Sequence, residues 1–444
     1  MRVVLISTYE LGRQPFGLAS PAAWLREEGH NVGCFDLSRA PLAAAAVTHA
    51  DMVAFFLPMH TATRLALRVI ERVRAANPRA VLCAYGLYAP LSEAILRQAG
   101  VAHIIGGEFE KALVDLCRTL ASAETTGPSR LIVLDRQQFR VPDRAGLPPL
   151  ASYARLAAGG ATKTVGYAET TRGCKHLCRH CPVVPVYRGR FRVVQAEVVL
   201  EDIRRQVAVG AQHITFGDPD FFNAPGHAVR LVEALHREWP ELTYDPTIKI
   251  EHLLAHRDLA PVLRATGCLF VTSAVESLDD AVLATLAKGH TRADFLEALA
   301  LTRAARLPVA PTFIPFNPWT TLAGYRAFLR EIAELDLVDS VAPIQLAIRL
   351  LIPEGSLLLD VPEIRSRVGA FDARSLAYPW QSDDPALDRL QSKMQSLIQS
   401  EERSHASRAG IFRQIWSAAQ TAEFPDIPLA ARATIPYLTE PWYC

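Results

Sequence analysis

The stretch TTRGCKHLCRHCPVVP, residues 171–186, places Cys174, Cys178 and Cys181 on one short loop, spaced four and then three apart. Three thiolates at that spacing suit an iron–sulfur cubane, whose irons take cysteine ligands. A [4Fe–4S] cluster has four irons, so three thiolates leave one iron open to a small ligand. Such a cluster is a reagent as well as an electron carrier. Structural zinc is the alternative chemistry, but it asks for four closed ligands, usually from two paired motifs. His176 and His180 could contribute, yet both interleave with the cysteines and no second pair follows. A conventional four-iron carrier would need a fourth cysteine nearby, and the next one along the chain is Cys268.

Cys34, Cys83, Cys117 and Cys268 each sit in an apolar or helical stretch, where a thiol behaves as a small buried hydrophobe. The chain has 444 residues, 50% hydrophobic and 21% charged, which is globular composition and enough length for two or three domains without disulfide staples. A formal net charge of +1 advertises no nucleic-acid partner. No apolar run reaches the ~18 to 20 residues of a membrane helix. MRVVLISTYE reads as a first buried strand rather than a secretory signal. These features point to a cytoplasmic protein, in which cysteines are free thiols or ligands.

The elements that must position the cysteine loop follow from periodicity. Over residues 1–125, apolar runs RVVLIST, NVGCFDL, MVAFFLP, AVLCAYG and VAHII alternate with amphipathic stretches such as TRLALRVIERVRAAN. The pattern predicts a doubly wound parallel sheet of five strands, with ligands beyond the carboxyl ends of the strands. Residues 126–162, rich in Pro, Gly and Arg, read as a linker. A second alternation over 163–354 has six strands: TVGYAETT, HITFGD, TYDPTIKI, CLFVTSAV, PVAPTFIPF and SVAPIQLAI. With right-handed crossovers these make a partial (β/α)6 barrel, and the cysteine loop follows its first strand on the face where such barrels do chemistry. Residues 355–444 read as a mainly helical region with a Pro-rich tail, expected to cover the barrel mouth.

With the cysteines in that place, the chain resembles the radical S-adenosylmethionine (radical SAM) enzymes, whose hallmark is CxxxCxxC after the first strand of a partial barrel. The resemblance implies that the open iron chelates SAM. One injected electron would then cleave the sulfonium and yield a 5′-deoxyadenosyl radical. It also implies roles for other positions. His180 stands where the family has a residue near adenine. Gly217 and Asp218 in FGDPDFF stand where a strand edge holds the SAM amino group, and Lys249 in TIKIEHL could pair with the SAM carboxylate. Glu276 and Ser277 match a Glu-Ser pair that contacts SAM, and Lys288-Gly289 matches a helix end. Taken alone, GDPD is a turn, Ser277 with Asp279 and Asp280 a helix start, and Lys249 a solvated strand end. FIPFNPWTT, with Asn317 and Trp319, departs from the family's glycine-rich turn after the fifth strand.

The N-terminal domain resembles the cobalamin-binding domain of the B12-dependent members. GVAHIIGGEFEKALVDL echoes their Gly-Glu-x-Glu segment through Gly106, Gly107, Glu108 and Glu110, and AYGLYAP keeps Gly86. Glycines there would let backbone approach a flat macrocycle, although strand-to-helix turns also use them. His60 in FLPMHTATR is not in the Asp-x-His-x-x-Gly context of a cobalt-ligating histidine. The ending LTEPWYC is similar to radical SAM proteins whose tails carry Cys-Cys or Cys-selenocysteine before Ala-Glu-Pro, which would make Cys444 a substrate thiolate or a soft-element ligand; a frayed terminus is the plainer reading. The resemblance implies a [4Fe–4S] cluster, SAM, cobalamin, a small-molecule substrate and an external electron donor such as flavodoxin or ferredoxin. The expected reaction is cobalamin-dependent methylation or a related bond-forming transfer. The alternatives are a cobalamin-independent radical SAM reaction, such as aminocarboxypropyl transfer to arsenic, and a non-catalytic Fe–S or zinc protein.

Overall fold

The computed structural model describes residues 1–122 and 127–419, together with the backbone of 437–438. Six parallel strands make the N-terminal sheet: β1 (Arg2–Ser7), β2 (Asn31–Asp36), β3 (Met52–Phe56), β4 (Val81–Tyr85), β5 (His103–Gly107) and β6 (Ser129–Val133). Their order is β2-β1-β3-β4-β5-β6. Helices cover both faces, so β3 is buried at every position and reads as an unbroken apolar run. β6 adds to the five strands read from the sequence. Its short apolar run, residues 131–134, lies inside the stretch read as a linker, its residues are exposed or half-buried, and its register with β5 makes it a strand of this sheet. β1 lies between β2 and β3, and the strand order reverses there. In doubly wound sheets ligands bind at such a reversal, beyond the carboxyl ends of the strands, here β1 and β3.

The second sheet system begins with a hairpin of β7 (Arg155–Ala158) and β8 (Ala161–Ala168). β9 (Thr171–Gly173) and β10 (Phe191–Val193) form a small antiparallel ladder around the cysteine loop. β8, β11 (His213–Phe216) and β12 (Thr243–Asp245) are parallel, as are β13 (Val271–Glu276) and β14 (Val309–Phe313). Parallel bridges Tyr244↔Cys268 and Thr247↔Thr272 carry the curve from β12 to β13. The result is a partial barrel of five strands where six were expected. SVAPIQLAI forms a 3-10 turn, Pro343–Leu346, in place of the sixth strand. Pro343 has no N–H to give a ladder. Instead, Gln345 Oε1 accepts from the Phe313 N–H at 3.0 Å and completes the edge of β14.

Phe216, Phe221, Phe222, Phe295 and Phe313 anchor the barrel core. Helices Pro385–Arg403 and Arg408–Ala418 insert Met394, Ile398, Phe412 and Ile415 into that same core. They brace the closing edge. The contacts with the cysteine loop and the N-terminal domain come from the segment before them: Ser356 Oγ donates to the Arg179 carbonyl at 3.1 Å, and His60 Nε2 bonds the Ser375 carbonyl. β15 (Tyr437–Leu438) pairs antiparallel with β7, whereas Cys444 lies outside the described residues. Among the described residues no helix is long and apolar enough to cross a membrane.

Candidate functional site

The cysteine loop starts at a residue that must be glycine. Gly173 has φ +76°, and a Cβ there would stand 2.3 Å from the Tyr187 ring and 2.6 Å from the Arg190 carbonyl. Neighbours then pin the loop. Asn223 accepts from the Lys175 N–H at 3.3 Å and donates to the Gly173 carbonyl at 3.1 Å. The Arg179 N–H reaches the Leu286 carbonyl at 2.9 Å. Cys178 is buried, and Cys174 and Cys181 are half-buried against the core of the N-terminal domain. Burial pushes the Cys174 thiol up to about 11 and the Cys181 thiol up to about 12. Thiolates there need nearby positive charge, which a cluster iron supplies. The three donors fit an iron–sulfur cluster.

Glu276 is brought beside this loop. Its Oε1 accepts from Lys288 Nζ at 3.3 Å and meets His180 Nε2 at 3.2 Å. Burial would raise this carboxyl, yet Lys288 and His180 outweigh it and hold Glu276 at about 2. Lys288 is buried too; desolvation works against its charge, but Glu276, Cys178 and Cys181 raise its pKa above the ordinary value. Glu276 has φ +71°, in the left-handed region, at an irregularity in the β13–β14 register. A non-glycine residue held there costs of order 1–3 kcal/mol, a cost that clusters at functional sites. The Nδ1 of His180 is buried without a hydrogen-bond partner. Ser277 turns away from this group and accepts from the Asp279 N–H at 3.0 Å, as a helix start does.

The FGDPDFF residues are held by protein neighbours. Gly217 is required by Tyr167, whose hydroxyl would lie 1.7 Å from an added Cβ. Asp218 is consumed by the loop: Oδ1 accepts from the hydroxyls of Thr170 and Thr171, each at 2.6 Å, and Oδ2 from the Thr170 N–H at 3.0 Å. It therefore fastens the β8–β9 connection and the start of β9 to the end of β11. Asp220 is fully buried, and its Oδ2 approaches His252 Nδ1 at 2.6 Å without hydrogen-bond geometry. His252 Nε2 lies 3.1 Å from His176 Nε2, whose other nitrogen is 3.5 Å from Glu251. His176, Asp220 and His252 offer atoms within 4.8 Å of one another, the group here with metal-ligand chemistry besides the thiols. Lys249 is buried and donates to Glu251 at 3.2 Å, beside Gly289. Asp220 and His252 are not singled out by the sequence, and Lys288 stands there only as a helix end. Each has a signal only in retrospect: a lysine twelve residues after Glu276, a second aspartate in GDPD, and a histidine three after Lys249.

The four residues read as macrocycle contacts face protein. A Cβ on Gly86 would stand 2.9 Å from the Leu57 carbonyl, on Gly106 2.7 Å from Pro90, and on Gly107 2.1 Å from the Val133 carbonyl. Glu108 is fully buried, 3.3 Å from Arg172 and 3.2 Å from the Tyr187 hydroxyl. Arg172 also binds Glu110 at 2.6 Å and Glu169 at 2.8 Å, with the rings of Phe16, Phe109 and Phe139 around its guanidinium. Thus the Gly-Glu-x-Glu segment is tied to a residue two positions before Cys174. At the β1–β3 reversal, Ser7 Oγ is buried without a partner and Met59 and His60 follow β3.

These two halves correspond to known domains. The B12 binding domain family matches residues 2–117, and the Radical SAM superfamily matches residues 168–323. A tRNA-2-methylthio-N(6)-dimethylallyladenosine synthase of Geobacter sulfurreducens is 27% identical over 192 residues, 41% of this chain and 42% of that one. The hopanoid C-3 methylase of Methylococcus capsulatus is 24% identical over 324 residues, 69% of this chain and 62% of that one. The chain thus spans 42% and 62% of the length of these curated relatives. Among solved structures, the cobalamin-dependent S-adenosylmethionine radical enzyme OxsB superposes with a TM-score of 0.70 at 13% identity, covering 94% of this chain and 70% of that one. The radical S-adenosylmethionine methyltransferase TsrM of Kitasatospora setae gives 0.68 at 16% identity, covering 89% of each. At such identities the likeness concerns the fold.

Proposed function

We propose that this chain, which joins a B12-binding domain to a radical SAM domain and is an enzyme of the radical SAM class, catalyses a SAM-dependent methyl transfer or a related carbon–carbon or carbon–heteroatom bond formation on a small molecule. Cys174, Cys178 and Cys181 would hold a [4Fe–4S] cluster. When bound, the cluster supplies one electron to the SAM sulfonium and cobalamin supplies a methyl carrier. The chain's own residues bind, compensate charge and exclude water. Asp220 replaces Asp218 as the acceptor for the SAM ammonium, because its Oδ2 is buried without a hydrogen bond while both Asp218 oxygens are used. Lys249 would meet the SAM carboxylate. The unpartnered Nδ1 of His180 is available to adenine. Glu276 keeps Lys288 charged beside the thiols.

The observation that carries the reading is the meeting of both domains at one loop: Cys174 and Cys181 pack against the same core as Leu57, Tyr88 and Leu91. A group held by the first domain therefore faces the chemistry of the second. The inward-facing glycines favour a second reading, in which the N-terminal domain is a scaffold and SAM is split at a different sulfonium bond. Anaerobically reconstituted protein incubated with SAM and dithionite tests both. 5′-Deoxyadenosine and cobalamin absorption bands support the first. Methylthioadenosine with no bound corrinoid supports the second, and a colourless protein with stoichiometric zinc overturns the pair.

A further inference from the structure

We propose that the outer side of the cysteine loop is the docking face for a small acidic one-electron carrier protein. The inference rests on the cluster reading above and adds where its electron enters. Among the described residues no second thiolate set could relay one. Cys34, Cys83, Cys117 and Cys268 are buried and dispersed over separate elements, and burial pushes Cys34 up to about 11 and Cys117 up to about 12. The electron must therefore arrive from another molecule, at surface close to Cys174–Cys181.

That surface has an outward side of definite character. Leu177, between two of the cysteines, is 54% exposed, one of few large hydrophobic residues left in solvent. Lys175 on the same loop is exposed. Gly189, at φ +77°, draws a second turn onto it: a Cβ there would stand 3.4 Å from Leu177 Cδ2 and 3.5 Å from the Lys175 carbonyl. Arg188 and Arg190 flank that glycine and are exposed. Among the described residues, Lys175, Arg188 and Arg190 make no ion pair. Three uncompensated cations around one apolar side chain suit a transient partner with an acidic rim and an apolar centre. Such charge arrangements steer encounter and orientation more than they add affinity, and electron-transfer encounters use small interfaces. RNA is the competing occupant of a basic patch. Three cations yield few phosphate contacts, and the chain as a whole carries only +1.

The test compares two reductants on the SAM-cleaving enzyme: reduced flavodoxin, and dithionite, which needs no docking. In the Arg188→Glu/Arg190→Glu double variant, flavodoxin-driven SAM cleavage falls by about tenfold or more at low salt, while dithionite-driven cleavage stays within about twofold of wild type. Wild-type turnover with flavodoxin declines as salt rises, and Arg188→Lys/Arg190→Lys retains it. Equal losses with both reductants, no loss with flavodoxin, or salt-independent wild-type turnover would each overturn the proposal. So would a transfer RNA that binds wild type, is released by the double variant and leaves flavodoxin turnover untouched. Failure of the underlying cluster reading looks different: wild type then cleaves no SAM with dithionite.

Discussion

At the scale of single residues, Glu276 and Lys288 show how the site tolerates buried charge. Each compensates the other, and removing one partner of a buried pair leaves the survivor without its counter-charge. Lys288→Met should therefore cost about 3–5 kcal/mol in anaerobic urea unfolding, whereas Glu276→Gln with Lys288→Met should recover most of it. A single variant as stable as wild type would mean that Lys288 is solvated in solution. This pair also marks what one dimension can reveal. The cysteine spacing was legible because its chemistry depends on short-range order alone. Lys288 was read as a helix end, since nothing in a linear pattern says that residue 288 returns to residue 276. Tyr167, Thr170 and Thr171, which pack on or bond Gly217 and Asp218, meet them only through β8–β11 pairing, which a linear pattern does not show.

At the scale of elements, two aspartates in one four-residue turn divide two tasks. Asp218, at the end of β11, clamps the β8–β9 connection and the start of β9 with three hydrogen bonds, and Asp220 faces His252 with an oxygen to spare. Hydrogen bonds to a charged acceptor contribute about 1.5–3 kcal/mol each at most, and the buried hydroxyls of Thr170 and Thr171 would be left unpaired. Asp218→Ala should thus lower both unfolding stability and iron per chain after reconstitution. Asp220→Asn should keep stability and iron near wild type while raising the KM for SAM about tenfold or more, as expected when one charge-assisted contact to an ammonium is lost. Reversed phenotypes would exchange the two assignments. The element pattern itself was largely legible, because β1–β5 are continuous apolar runs. β6 escaped it because its short run over residues 131–134 stands amid Pro, Gly and Arg in the stretch read as a linker, and SVAPIQLAI mimicked a strand until Gln345 took over its hydrogen bond to Phe313.

At the scale of the whole molecule, the two domains are joined through charge: Arg172 of β9 reaches Glu108 and Glu110 of the first domain and Glu169 of its own. Burial pushes Glu108 up to about 7; Arg172, the Tyr187 hydroxyl and Arg192 pull it down, and Glu110 pushes it further up. The ordinary value is 4.5, so between about 4.5 and 7 the folded protein keeps a proton that the unfolded chain has released. The sign follows: the contribution of this group is full below about 4.5 and is lost as pH rises toward 7. At 1.36 kcal/mol per pKa unit, the loss from Glu108 is at most about 3 kcal/mol. Urea midpoints should therefore fall between pH 5 and pH 7.5, with hydrogen exchange quickening at β5 and β9, on either side of the junction. Glu108→Gln, neutral at every pH, should flatten that profile while the activity-independent iron content stays constant. A midpoint that rises over this range, or a Glu108→Gln profile as steep as wild type, would place the proton elsewhere and leave the junction held by Arg172 and Glu110 alone.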